Sequence, residues 1–175
     1  WFFGRAFYKI YKGEPVFAKK VFTATENGIY KIMGVDPKEE MTAKKYALGI
    51  LLFSVFSLIF FIAVVMLQAF LTMNPEHIEG MSWHLAFNTA ASFVTNTNWQ
   101  AYSGETGLSY LSQMICLTVQ NFVSGAVGIA VLFALIRGFV GRQKKTIGNC
   151  WADITRVTLF MIPVCFAGDF ILDSQ

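Results

Sequence analysis

Two stretches of this chain, residues 46–75 and 106–136, contain no Asp, Glu, Lys or Arg at all. Within them, 47–71 and 108–136 are rich in Leu, Ile, Val, Phe and Ala. At a rise of about 1.5 Å per residue, each exceeds the roughly 20 residues needed to cross the hydrocarbon core of a bilayer. Both read as transmembrane helices, and Asn74-Pro75 ends the first. Composition agrees, because 55% of the 175 residues are hydrophobic and only 14% charged, against about a quarter charged in an ordinary soluble domain. The expected fold class is an all-α integral membrane protein.

Charge then orients the spans. All 14 Lys and Arg residues lie before Tyr46 or after Ile136. The excess of Lys and Arg on cytoplasmic loops therefore puts both flanks inside and residues 76–107 outside. Residues 1–45 read as a basic cytoplasmic juxtamembrane segment, its aromatics anchored at the inner interface. That accounts for the interleaved basic and aromatic residues without nucleic acid. A short helical pattern over 26–33 stops at Gly34, and Asp36-Pro37 makes a turn. Residues 142–175 read as a cytoplasmic turn (Arg142, Lys144, Lys145) and the start of a next membrane helix. Pro163 is expected to bend that helix, with Asp169 and Asp173 towards its outer side. Asp153 and Arg156, three apart, are expected to pair on one helix face. A start at Trp1 rather than Met, with no signal-peptide pattern, suggests an internal fragment. On that reading Trp1-Phe2-Phe3-Gly4-Arg5 ends a preceding membrane helix.

The outer loop holds the chemistry. Residues 82–94 suit a helix but make only about 20 Å of it, the length of a re-entrant segment rather than a span. Next comes Thr95-Asn96-Thr97-Asn98-Trp99-Gln100, in which Thr and Asn alternate and no residue is charged. Non-helical backbone at membrane depth survives only where protein buries it or where it lines water. A helix entering from outside also aims its partly negative carbonyl end at such a loop. Backbone carbonyls, Thr hydroxyls and Asn amides are hard oxygens that can replace the hydration shell of an alkali ion. A divalent site calls for carboxylates, and none lies between Met81 and Ser103. The candidate site is thus a monovalent cation filter of Thr95, Asn96, Thr97, Asn98 and Gln100. Glu76, Glu79 and Glu105 form an acidic outer mouth that concentrates cations. A polar outer loop that coordinates nothing is the competing reading.

The other polar residues carry less. Gln120 and Asn121 sit mid-span, either hydrogen-bonded to a neighbouring helix or lining the ion path. Cys116, Cys150 and Cys165 have no metal or redox spacing and read as small packing residues. His77 and His84 lack partners for a metal set and read as surface histidines. No phosphate-binding loop, nucleophile elbow or ATPase phosphorylation motif is visible, so neither an ATP site nor catalytic residues are expected.

Residues 85–105, Leu-Ala-Phe-Asn-Thr-Ala-Ala-Ser-Phe-Val-Thr-Asn-Thr-Asn-Trp-Gln-Ala-Tyr-Ser-Gly-Glu, closely resemble the first pore loop of the KdpA family. These are the potassium-binding subunits of bacterial Kdp potassium-transporting ATPases. The likeness continues through Leu117-Thr118-Val119-Gln120-Asn121-Phe122 and Gly148-Asn149-Cys150-Trp151-Ala152-Asp153. Upstream it is looser, with Thr42-Ala43 where Asn-Trp is usual. The resemblance implies a potassium-channel-like fold of four unequal helix–pore loop–helix repeats in one chain around a pseudo-fourfold pore. The repeat here would be 46–141, with a pore helix over 82–94 and a filter over 95–100. Asn96, Thr97 and Asn98 would line that filter and Gln100 would tune potassium affinity. The partners implied are the ATPase subunit KdpB together with KdpC and KdpF, in the bacterial plasma (inner) membrane. Alone, one repeat should not build the filter. A homotetrameric two-helix potassium channel and a non-conducting membrane scaffold are the other readings.

Overall fold

The computed structural model describes residues 2–12, 14, 19–141 and 145–172, with backbone only for Phe2, Phe3, Lys19 and 162–172. The described chain is mostly helical and contains no strand, only an isolated antiparallel bridge between Thr42 and Thr146. Expectations for Trp1, Arg142, Lys144 and Asp173, and for the side chains of Pro163, Cys165 and Asp169, lie outside the described residues. The chain divides into two compact units, Leu51–Gly125 and the pair of segments Trp1–Ile50 and Ala126–Gln175.

Two helical stretches are long and apolar enough to cross a membrane, Ala43–Phe70 and Tyr110–Val140. The first is α3 (Ala43–Leu67), closed by a 3-10 turn at Gln68–Phe70. It begins four residues before the expected span because Lys44 and Lys45 continue the helix at its basic end. Leu51, Leu52, Val55, Phe56, Ile59 and Phe60 on it are exposed. Such a row suits lipid rather than water, as a large contiguous apolar surface is rare on a soluble protein.

Within residues 51–125, the core forms where α3 meets α4 (Trp83–Val94). Phe61, Val65 and Gln68 recur at helical spacing, as do Ala86, Ala90 and Phe93, and all six are buried. Ala86 and Ala90 are small enough to let backbones approach, and the Phe61 and Phe93 rings sit 5.7 Å apart. The chain entering α4 docks just as closely. Met81 N–H donates to Val65 O at 3.1 Å, and a Cβ at Gly80 would collide with the Met66 carbonyl oxygen. A short turn, α5 (Gly104–Gly107), leads to the second stretch, which opens with α6 (Tyr110–Ser112). There the helix widens to a π-helix over Gln113–Val119 before α7 (Gln120–Val140). The Thr118 hydroxyl donates to Gln113 O, five residues back, at 3.3 Å, the reach of a π turn. Gln120 is buried, whereas Asn121 is exposed.

In the other unit, α1 (Phe2–Lys12) and α2 (Lys19–Met33) both pack on α8 (Cys150–Leu172). Ala6 and Ile10 are buried with Val157 and Phe160, and the Phe7 and Phe160 rings meet edge to face at 5.6 Å. Asn149 caps α8 by accepting from Trp151 and Ala152 N–H at 3.1 and 3.2 Å. Its amide NH2 holds the Asp36 and Glu39 carbonyls, both at 3.0 Å, so one cap also anchors the 36–39 turn.

The expected Asp153–Arg156 pair does not form. Asp153 is only 2% exposed and takes a two-point grip from Arg137, Nη2 to Oδ1 at 2.9 Å and Nη1 to Oδ2 at 2.5 Å. Tyr46 Oη lies 2.9 Å from Oδ2. Arg156 instead meets Glu26 of α2 at 3.1 Å. A buried carboxylate needs both oxygens satisfied, which a guanidinium from another helix achieves by its fork geometry. A pair three apart on one helix is worth only tenths of a kcal/mol.

Candidate functional site

The last turn of α4 and residues 95–100 form one hydrogen-bonded wrap. Asn96 has φ 59°, the left-handed conformation that Asn tolerates better than other side-chain-bearing residues. Its N–H donates to Phe93 O at 3.2 Å and Thr97 N–H donates to Ser92 O at 2.9 Å. That pair of bonds around a left-handed residue is the Schellman way of closing a helix, with Asn in the usual place of Gly. An ordinary cap would stop there. Here Asn98 is left-handed as well, φ 57°, and its N–H also donates to Ser92 O at 3.2 Å. Trp99 N–H then donates to the Ser92 hydroxyl oxygen at 2.6 Å.

The Thr–Asn alternation in sequence is therefore an alternation of backbone handedness. Thr95 has φ −85°, and only the two Asn residues of the loop have positive φ. Every N–H from Thr95 to Trp99 is spent on the end of α4. Among the described residues, no hydrogen-bond donor meets the carbonyls of 95–99. The loop thus keeps its donors behind it and leaves a row of acceptors in front. The side chains brace one another. Thr95 Oγ1 donates to Ala91 O at 2.8 Å and lies 3.0 Å from Thr97 Oγ1. Asn96 Oδ1 lies 3.2 Å from Ser124 Oγ.

Thr95, Asn96, Thr97, Asn98 and Gln100 are all exposed, in one run. Glu76 and Glu105 line the same small cleft with Asn74, Ile78 and Tyr110. Glu79 is not on that cleft, and its backbone carbonyl is what the structure uses. His77 and His84 are exposed. No group of three or more His, Cys, Asp or Glu gathers to hold a metal ion among the described residues. Near the loop, burial pushes the Tyr102 phenol up to about 12, so it adds no charge to the site at neutral pH.

Three contributors have little sequence signal. Ser92 looks like any small residue of a packed helix, and nothing in the spacing joins Ser124 to Asn96. Gln68 is the third, a fully buried amide at the end of the first span. Its Nε2 donates to the Glu79 and Gly107 carbonyls at 2.6 and 3.0 Å, and its Oε1 accepts Ser109 N–H at 3.1 Å. The one available clue was an amide inside an apolar run. Gln68→Leu strands one N–H and two carbonyls, at about 1–3 kcal/mol for a buried group left unpaired. In the full-length protein this variant is expected to melt at lower temperature and to exchange the Ser109 amide hydrogen faster. Unchanged exchange at Ser109 would show that the amide does not hold the loops.

Comparison with known proteins finds the family described as KdpA, potassium-transporting ATPase A subunit, matching residues 1–175. A relative from Clostridium botulinum (strain Eklund 17B / Type B) is 56% identical over 168 residues, covering 95% of this chain and 29% of the relative. One from Listeria monocytogenes serotype 4a is 56% identical over 169 residues, 96% of this chain and 30% of the relative. One from Pseudomonas syringae pv. tomato is 53% identical over 162 residues, 92% and 29%. Each is named a potassium-transporting ATPase potassium-binding subunit. The chain spans about three tenths of the length of these relatives.

Proposed function

This chain belongs to the KdpA family of potassium-transporting ATPase A subunits, and from that premise we propose that it is the first pore repeat of a potassium-translocating subunit. In this reading α3 and the Tyr110–Val140 stretch are the flanking spans, α4 is the pore helix and residues 95–100 are one quarter of the filter. Potassium is the cargo. ATP is hydrolysed on a partner subunit of the KdpB kind, with KdpC and KdpF completing the complex in the bacterial plasma membrane. The rest of the full-length protein supplies the remaining filter loops. The charge asymmetry of the sequence supports an outward-facing loop, with Glu76, Glu79 and Glu105 at its mouth.

One observation carries this reading: the N–H groups of 96–99 all turn back onto the end of α4, which leaves the carbonyls of 95–98 as a row of acceptors aimed away from it. Carbonyl oxygens so aimed can replace the water around an alkali ion. The absence of a carboxylate in the loop favours a monovalent ion.

Gln100, next to the row and exposed, is the position for a test. Gln100→Arg puts a fixed positive charge beside the ion path, worth about 1 kcal/mol at 4 Å even in full water screening. Full-length protein with this change is expected to take up rubidium with a KM raised at least several-fold and to fail to support growth at limiting potassium. Wild-type affinity would remove Gln100 from the site and count against the filter.

A further inference from the structure

Resting on the filter reading above, we infer that Ser92 is the positioning residue of the ion-coordinating row: its two acceptors, one main-chain and one side-chain, aim three successive carbonyls. The peptide group is planar and trans, so its N–H and C=O point in opposite directions. Holding an N–H therefore aims the carbonyl of the preceding residue. Thr97 N–H on Ser92 O aims the Asn96 carbonyl away from α4. Asn98 N–H on the same oxygen aims that of Thr97. Trp99 N–H on Ser92 Oγ, at 2.6 Å, aims that of Asn98. A helix end offers its carbonyls as a matter of course, so the first two bonds need only main-chain groups. The third does not. It requires a hydroxyl at this one position, and it extends the order of the row one residue beyond what backbone alone supplies.

The position suits the task. Ser92 is buried, at 8% exposure, in the last turn of α4 beside Phe93, which is locked against Phe61. An anchor on a rigid element holds geometry better than one on a loop. The hydroxyl oxygen acts here as acceptor for a residue seven positions on. More often a Ser in a helix turns its hydroxyl back towards a carbonyl of the preceding turn. Removing it leaves the Asn96 and Thr97 carbonyls tethered and frees only the Asn98–Trp99 peptide group. The defect should therefore be local to one layer of the row.

The test uses the full-length protein in its assembled complex, with rubidium uptake and competition by sodium as readouts. Ser92→Ala is expected to raise KM about tenfold, the effect of losing one partly buried hydrogen bond, and to narrow the preference for rubidium over sodium, with kcat little changed. Ser92→Thr keeps the hydroxyl and is expected to restore both. Asn98→Ala runs alongside as a check on the filter itself. If Asn98→Ala impairs affinity while Ser92→Ala matches wild type, the role of Ser92 is overturned and the filter stands. If both match wild type, the filter reading falls and the role of Ser92 with it. If Ser92→Ala lowers only the amount of assembled complex, with KM and ion preference unchanged, Ser92 is merely structural and the inference fails. Should that variant not assemble, Ser92→Cys replaces the hydroxyl by a weak acceptor of similar size. A raised KM there supports the role, and a wild-type KM overturns it.

Discussion

Full-length protein carrying both Asn96→Ala and Asn98→Ala should lose rubidium affinity by roughly 30-fold, while the Asn96→Gly/Asn98→Gly protein stays within a few-fold of wild type. Both positions have positive φ, 59° and 57°. Asn tolerates that conformation through its short polar side chain, whereas forcing Ala into it costs about 1 kcal/mol or more, so the pair costs about 2 kcal/mol. At about 1.4 kcal/mol per factor of ten, that is the affinity forfeited when the empty loop relaxes and must be forced back into the ion-binding shape. Glycine takes the same conformation without the steric cost. The two pairs thus separate backbone from side chain. If carbonyls coordinate the ion, glycine preserves binding and alanine does not. Equal loss in both pairs would mean that the Asn amides themselves are the ligands, and the carbonyl row would no longer explain the site. Uptake kinetics on each pair decide between these outcomes.

The second large effect lies at the other unit. Arg137→Ala leaves the Asp153 carboxylate buried with only the Tyr46 hydroxyl, and Asp153→Ala leaves a guanidinium without its counter-charge. Breaking one side of a buried pair typically costs about 3–5 kcal/mol, because the remaining charge stays in a poor solvent. Each single variant is expected to melt at markedly lower temperature in detergent and to give less assembled complex. The double variant Arg137→Met/Asp153→Leu should recover most of that loss, since replacing both partners by apolar groups removes the uncompensated charge. Arg137 also donates to the Ile147 and Tyr11 carbonyls, so recovery is expected to be incomplete. Single variants as stable as wild type would show that the pair contributes no stability.

The Asp153 pairing also marks how far a sequence can be read. Periodicity tells which residues share a face of one helix, and Asp153 and Arg156 do. It does not tell which other helix presents a guanidinium to that face. Here Arg137 does, and Arg156 goes to Glu26 instead. Gln68 is a similar case. Its place in an apolar run was visible, but its three partners come from residues 79, 107 and 109, which only the folded loop brings together. The acidic residues divide likewise, with Glu76 and Glu105 on one cleft and Glu79 used through its carbonyl.

What the sequence determined by itself was the class of molecule and the composition of its loop. Long uncharged runs cannot remain in water, and helices are the simplest way to satisfy their backbone in lipid. The family follows from residues in a row, and so did the neutrality of 95–100, both one-dimensional properties. Tertiary structure decided the handedness of Asn96 and Asn98, the π turn before α7, and the turning of five N–H groups onto one helix end. Those depend on which donor reaches which acceptor across space, and the alternation of Thr and Asn shows its meaning only once the end of α4 is present to receive them.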